Sequence, residues 1–185
     1  MQRQMVSHFR LGPHSDLGSA PSMGAMDEDL QGRLLLDLYA AALRAVEGRE
    51  VVRRALARRP WDGPAWLVAV GKAAESMTRG ALDVVGERCV GGLLIGREAP
   101  GDPRSLGEHR IRWTTGGHPI PDEGSLAAGA QLLRHLAATP ADASLLFLLS
   151  GGASSLVEVP VAGVSLDSLQ RINGWLLGSG LPIGA

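Results

Sequence analysis

Gly63-Pro64-Ala65-Trp66-Leu67-Val68-Ala69-Val70-Gly71-Lys72 decides the fold of this chain. An unbroken apolar run, Ala65–Val70, stands between Gly63-Pro64 and Gly71. A run this short reads as a strand buried on both faces, the kind found in parallel sheets covered by helices. Helical spacing follows at once, with Ala74, Met77, Ala81, Val84 and Val85 predicting a helix over Ala73–Gly86. The alternation then repeats. Gly91–Ile95 reads as a second buried strand, Arg110–Thr114 as a weaker third, and Leu145–Leu149 as the clearest of all. Between the last two, Leu126, Ala130, Leu133 and Ala137 predict a helix over Glu123–Ala138 with Asp122 as its N-cap. Ser165 is placed to cap a last helix carrying Leu166, Leu169, Ile172 and Leu176. Upstream, Leu35, Leu38, Ala42 and Ala45/Val46 predict an amphipathic helix over Asp29–Val46, and Glu50–Arg59 a second, ended before Pro60. Strands alternating with helices imply βαβ crossovers and an α/β fold on a mostly parallel sheet.

Composition narrows the function. The chain has 185 residues, 45% of them hydrophobic and 20% charged, with net charge −1, which suits one globular domain. Balanced charge and 4% aromatics give no electrostatic or stacking argument for nucleic acid. Arg49, Arg53, Arg54, Arg58 and Arg59 read as a solvated face beside acidic neighbours. Cys89 is the sole cysteine, so neither a disulfide framework nor a Cys-rich zinc site is available, and a cytoplasmic location is expected. The apolar runs are too short to span a bilayer. Met1–Ala25 lacks apolar periodicity and reads as a flexible tail or upstream extension, with Met26 a plausible first residue.

In parallel sheets, ligands bind beyond the carboxyl ends of the strands, so the strand-end loops carry the chemistry. Ser150-Gly151-Gly152-Ala153-Ser154-Ser155 follows the strongest strand. Its glycines permit positive φ and close approach, its serines offer hydroxyls, and its N–H groups could cradle an anion; an ordinary Gly-rich turn needs the same small residues. Lys72 follows the first strand, next to Gly71, and is the only lysine beside 17 arginines. A compact ammonium reaching a phosphate oxygen explains that choice; a solvent-facing lysine is the alternative. His118 lies in Thr114–Glu123, a loop stiffened by Pro119 and Pro121, and is placed to orient a carboxylate or hydroxyl. Asp122 and Glu123 read as capping groups rather than a metal pair. Common signatures fail: Trp66 stands where a Walker A glycine belongs, and no G-x-G-x-x-G, G-x-S-x-G or H-E-x-x-H occurs.

Taken together, Val68–Ala74, Gly117–Glu123, Ser150–Leu156 and Leu169–Gly180 resemble, in order and spacing, the amino-terminal domain of the class II glycerate kinases, the glycerate 2-kinases. Members are also often labelled hydroxypyruvate reductases. The resemblance implies a Rossmann-like three-layer sandwich, a smaller second domain, and an active site between them. It implies phosphoryl transfer from ATP, with Mg2+, to the 2-hydroxyl of D-glycerate. Lys72 is the catalytic candidate it implies, and Gly71, Ser150, Gly151, Gly152, Ala153, Ser154, Ser155 and His118 the substrate or phosphate contacts; it assigns no metal ligand here. Ala153 stands where the family usually has a third glycine, which requires negative φ at that residue. Residues 26–185 are expected to be a partial first domain, incomplete at the carboxyl end, with the second domain absent. The alternatives are hydroxypyruvate reduction, disfavoured by the missing dinucleotide fingerprint, and a non-catalytic truncated remnant.

Overall fold

The computed structural model describes residues 28–59 and 61–181. The expected tail over Met1–Ala25 and the start at Met26 lie outside them. The helices are α1 (Glu28–Val46), α2 (Gly48–Arg58), α3 (Ala74–Val85), α4 (Pro103–Glu108), α5 (Glu123–Ala138), α6 (Ala153–Leu156) and α7 (Leu166–Ser179). The strands are β1 (Ala65–Val70), β2 (Cys89–Gly96), β3 (Ile111–Thr115) and β4 (Ser144–Leu149). The described residues up to 40 and those from 41 onward fall into two units, with the boundary inside α1. α1 forms as its spacing predicts, yet Leu35 and Leu38 are exposed, so that apolar stripe is not a buried face.

The second unit is built on a four-stranded sheet, order β3-β2-β1-β4, in which every pair is parallel. Period-two alternation splits its side chains between two layers. Leu67, Ala69 and Leu94 face Ala74, Ala81 and Val85 of α3, with Val52 and Leu56 of α2 behind. Val68, Val70, Leu93 and Ile95 face the other way, onto Ala128 of α5 and Leu156 of α6. The expected α/β sandwich is therefore present, with helices on both faces of a parallel sheet. Each buried Leu, Ile or Val contributes about 1.5–3 kcal/mol of transfer free energy.

Local chemistry sets the ends. Asp122 caps α5, accepting from the Ser125 N–H at 3.0 Å, while Ser125 Oγ accepts from the Asp122 N–H at 3.1 Å. Ser165 caps α7, accepting from the Ser168 N–H. The α2–α3 crossing is close because Gly48 and Gly80 lie at it: a Cβ on Gly80 would overlap the backbone of Arg49. Arg49 then reaches Asp83 through two hydrogen bonds of 2.6 and 2.7 Å. Arg53 and Arg54 pair with Glu50, so this basic stretch is the solvated, paired face expected.

Three features depart from the sequence reading or add to it. β4 is not doubly buried: it is an edge strand, with Phe147 46% and Leu149 64% exposed. The face of α7 carrying Ile172 and Leu176 is exposed as well. α4 was not foreseen, although Asp102 caps it and Pro103 stands in its first turn, the usual opening signal.

Candidate functional site at the sheet switch point

The strand order places the crevice. From β1 the chain moves outward through β2 to β3, then returns across the sheet to lay β4 on the other side of β1. The loops leaving β1 and β4 therefore diverge at a topological switch point, where open parallel sheets bind their ligands. Gly71-Lys72 leaves β1 there, and Ser150–Gly152 leaves β4.

The two loops are latched to each other. The Lys72 N–H donates to the Gly151 carbonyl at 2.9 Å, and the Ala73 N–H to Ser150 Oγ at 3.0 Å. Gly71 adopts φ +123, and a Cβ there would overlap Ser150 Oγ and come within 2.6 Å of its carbonyl oxygen. With the Ala74 N–H donating to the Gly71 carbonyl, the N–H groups of residues 72–74 are all engaged. The entry to α3 thus offers its Lys72 side chain rather than open N–H donors. Lys72 is exposed, and among the described residues its ammonium has no hydrogen-bond or ion-pair partner.

The third loop arrives from the far edge of the sheet. After Gly152 the chain runs through α6 back towards β3, where Ser125 Oγ donates to the Ser155 carbonyl at 2.6 Å and the Glu158 N–H donates to the Ser125 carbonyl at 3.1 Å. This return meets the loop after β3, whose Gly116 would overlap the Leu156 backbone if it carried a Cβ. The His118–Pro119 peptide is cis. The three loops converge on Gly152, which has φ +91: a Cβ there would lie 2.8 Å from His118 Cδ2 and Nε2 and 3.2 Å from Lys72 Cγ. His118 and the Lys72 stem thus flank one glycine, although the strands leading to them, β3 and β1, lie on opposite sides of β2.

Within Ser150–Ser155 the residues divide by role. Ser150 Oγ is occupied by the Ala73 N–H, and Ser155 is buried with its hydroxyl donating to the Gly152 carbonyl at 3.3 Å. These serines build the loop instead of presenting free hydroxyls. Gly151 and Ser154 are exposed, and Gly151 does not use positive φ. Ala153 has negative φ as the first residue of α6, so its methyl is accommodated. Among the described residues, the Gly151 and Gly152 N–H groups donate to no other group.

Asp122 is the cap expected, its Oδ1 taking the Gly117 and Ser125 N–H groups. The described residues include no cluster of three His, Cys, Asp or Glu side chains suited to a metal ion. Mg2+ bound to a nucleotide commonly takes one or two carboxylates and the phosphates themselves, so it does not require such a cluster. Reading the motifs missed Arg97 and Glu75. Both line a cavity of about 320 Å3 beside Lys72. The signal was available for Arg97, which follows β2 at the same carboxyl edge.

Comparison with known proteins places the chain in a family. Residues 34–185 match the family described as Domain of unknown function (DUF4147). A D-glycerate 2-kinase from Thermotoga maritima is 33% identical over 161 residues, 85% of this chain and 37% of that protein. A crystal structure of a Thermotoga maritima glycerate kinase superposes with TM-score 0.70 at 32% identity, covering 85% of this chain and 37% of that one. A putative hydroxypyruvate reductase from Agrobacterium vitis is 32% identical over 118 residues, 63% of this chain and 29% of that protein. The chain thus spans between 29% and 37% of the length of these relatives.

Proposed function

Because the chain belongs to the DUF4147 family, that of the glycerate kinases, we propose that its switch-point loops serve the ATP-dependent phosphorylation of the 2-hydroxyl of D-glycerate. The observation that carries this reading is the convergence of Lys72 and His118 on Gly152, beside open Gly151 and Gly152 N–H groups. Phosphoryl transfer asks a protein mainly for positioning and for cations where charge gathers. In the reaction, a bond forms between the glycerate 2-oxygen and the γ-phosphorus while the bond to the β,γ-bridging oxygen of ATP breaks, so that ADP leaves and the hydroxyl proton passes to solvent. Lys72 supplies positive charge to the moving group, most usefully in the transition state. The glycine N–H groups receive an anionic oxygen, and His118 orients the carboxylate or hydroxyl of glycerate. A divalent cation accompanies the nucleotide in this reading, and no residue of this chain is assigned to it.

The test is transfer of label from γ-labelled ATP to D-glycerate. It is run on this chain and on a chimera in which the part of the Thermotoga maritima kinase beyond the aligned region follows it. Labelled phosphoglycerate is the expected product. Hydroxypyruvate-dependent NADH oxidation without label transfer would replace the kinase reading with the reductase one. Silence of the folded chimera in both assays would leave a non-catalytic anion binder.

A further inference from the structure

The cavity beside Lys72 lies away from Gly152, between the carboxyl ends of β1 and β2. Gly71, Leu94 and Gly96 form its floor, and Lys72 and Arg97 supply its positive charge. Of the carboxylates at its rim, Glu75 is already engaged. Its two oxygens accept the Gly101 N–H at 3.1 Å each, and Oε1 also takes Arg79 at 2.8 Å. Arg79 reaches on to the Asp102 carbonyl at 3.4 Å. Glu75 therefore ties the 97–102 loop to the first turn of α3 and holds the wall that bears Arg97. Glu98 is 81% exposed and only 3.7 Å from Arg97, a contact too loose and solvated to hold the guanidinium.

Two cations stand at one cavity, one of them a fork suited to a phosphate and the other a compact point charge, and Glu98, the lining carboxylate not otherwise engaged, makes only a loose, solvated contact with Arg97. Resting on the kinase reading, we propose that this cavity receives the polyphosphate arm of the donor nucleotide. Arg97 grips it and Lys72 stands between it and the glycerate side at Gly152. The lysine then separates two anion subsites: the α3–β2 side takes phosphate, and the Gly151–Gly152 and His118 side takes the acid. The ammonium lies on the path between donor and acceptor, where the transferred group must pass.

The experiment measures equilibrium binding of inorganic tripolyphosphate and, separately, D-glycerate to the 185-residue chain by calorimetry. Arg97→Ala is expected to weaken tripolyphosphate about tenfold or more, as loss of a charge-assisted contact does, while leaving D-glycerate affinity unchanged. Glu98→Gln is expected to strengthen tripolyphosphate, since it removes the competing carboxylate. Arg97 is exposed, so thermal melts of the variant should match the parent and exclude unfolding. Unaltered tripolyphosphate binding in Arg97→Ala, or no binding by the parent, overturns the proposal. So does an Arg97→Ala effect on glycerate alone. The kinase reading is judged separately by label transfer: tripolyphosphate binding that depends on Arg97, without transfer in the chimera, would keep the cavity and reject the kinase.

Discussion

Lys72 carries its charge at the surface with no partner among the described residues, so deleting that charge removes function rather than structure. Lys72→Met should change stability by less than about 1 kcal/mol, and can raise it, since a cation leaves the positive end of α3. In the chimera it should cost about 10²–10⁴-fold in label transfer, the range for one key electrostatic group. Lys72→Arg should rescue poorly, because a planar fork does not replace a compact ammonium. Gly152 behaves oppositely. Gly152→Ala forces a side chain into the left-handed region, at about 1–2 kcal/mol, and pushes on the His118 ring. Near-normal turnover in Lys72→Met, or an unshifted melting temperature in Gly152→Ala, would break these assignments. His135 supplies a different residue-scale prediction. It is buried against Trp66, its Nε2 lacks a partner, and burial, then Arg112, push its pKa down. The unfolded chain therefore takes up a proton on lowering the pH below about 6.5 before the folded chain does, and stability falls as pH falls through that value. His135→Phe should flatten the slope of melting temperature between about pH 7 and 5. An unchanged slope would remove His135 as its source.

Elements were legible to different depths. β1 and α5 fall where the residues placed them because each carries its own signals: Gly63-Pro64 and Gly71 bound the strand, and Asp122 caps the helix. β4 was misread because an apolar run reports hydrophobicity, not whether a strand has one neighbour or two. The meeting of His118 with Gly152 was not legible either, since it depends on the long return through α6 that no local pattern announces. The α2–α3 crossing provides the element-scale test. Glycine inside a helix normally costs about 1 kcal/mol relative to alanine. At Gly80 the sign should reverse, because the added methyl meets the Arg49 backbone, which cannot swing away as a side chain would. Gly80→Ala should lower the melting temperature, and Gly32→Ala on α1, where open space surrounds the position, should not. A stabilised Gly80→Ala would mean the two helices are not in close contact.

At the scale of the molecule, the second unit buries both faces of β1 and β2 but leaves apolar surface on β4 and α7. Phe147, Leu149, Trp175 and Leu177 are exposed, and β4 presents an unpaired edge among the described residues. Open apolar edges recruit other strands and promote association. Phe147→Lys with Leu149→Lys should therefore reduce concentration-dependent aggregation without lowering the melting temperature, because neither side chain is in the core. Light scattering unchanged by the double substitution would place the sticky surface elsewhere. The same architecture places the candidate site: a sheet that grows outward to β3 and returns to β4 leaves a crevice at β1, and Lys72 stands at its mouth.

That placement can be tested without turnover. Amide and imidazole resonances of the isotopically labelled chain should be followed by NMR as D-glycerate and then tripolyphosphate are added. The account predicts that glycerate shifts Gly151, Gly152 and the His118 ring, that tripolyphosphate shifts Gly71, Gly96 and Arg97, and that both move Lys72. Saturating ligand that leaves these resonances in place, or shifts clustered on another part of the fold, would contradict it.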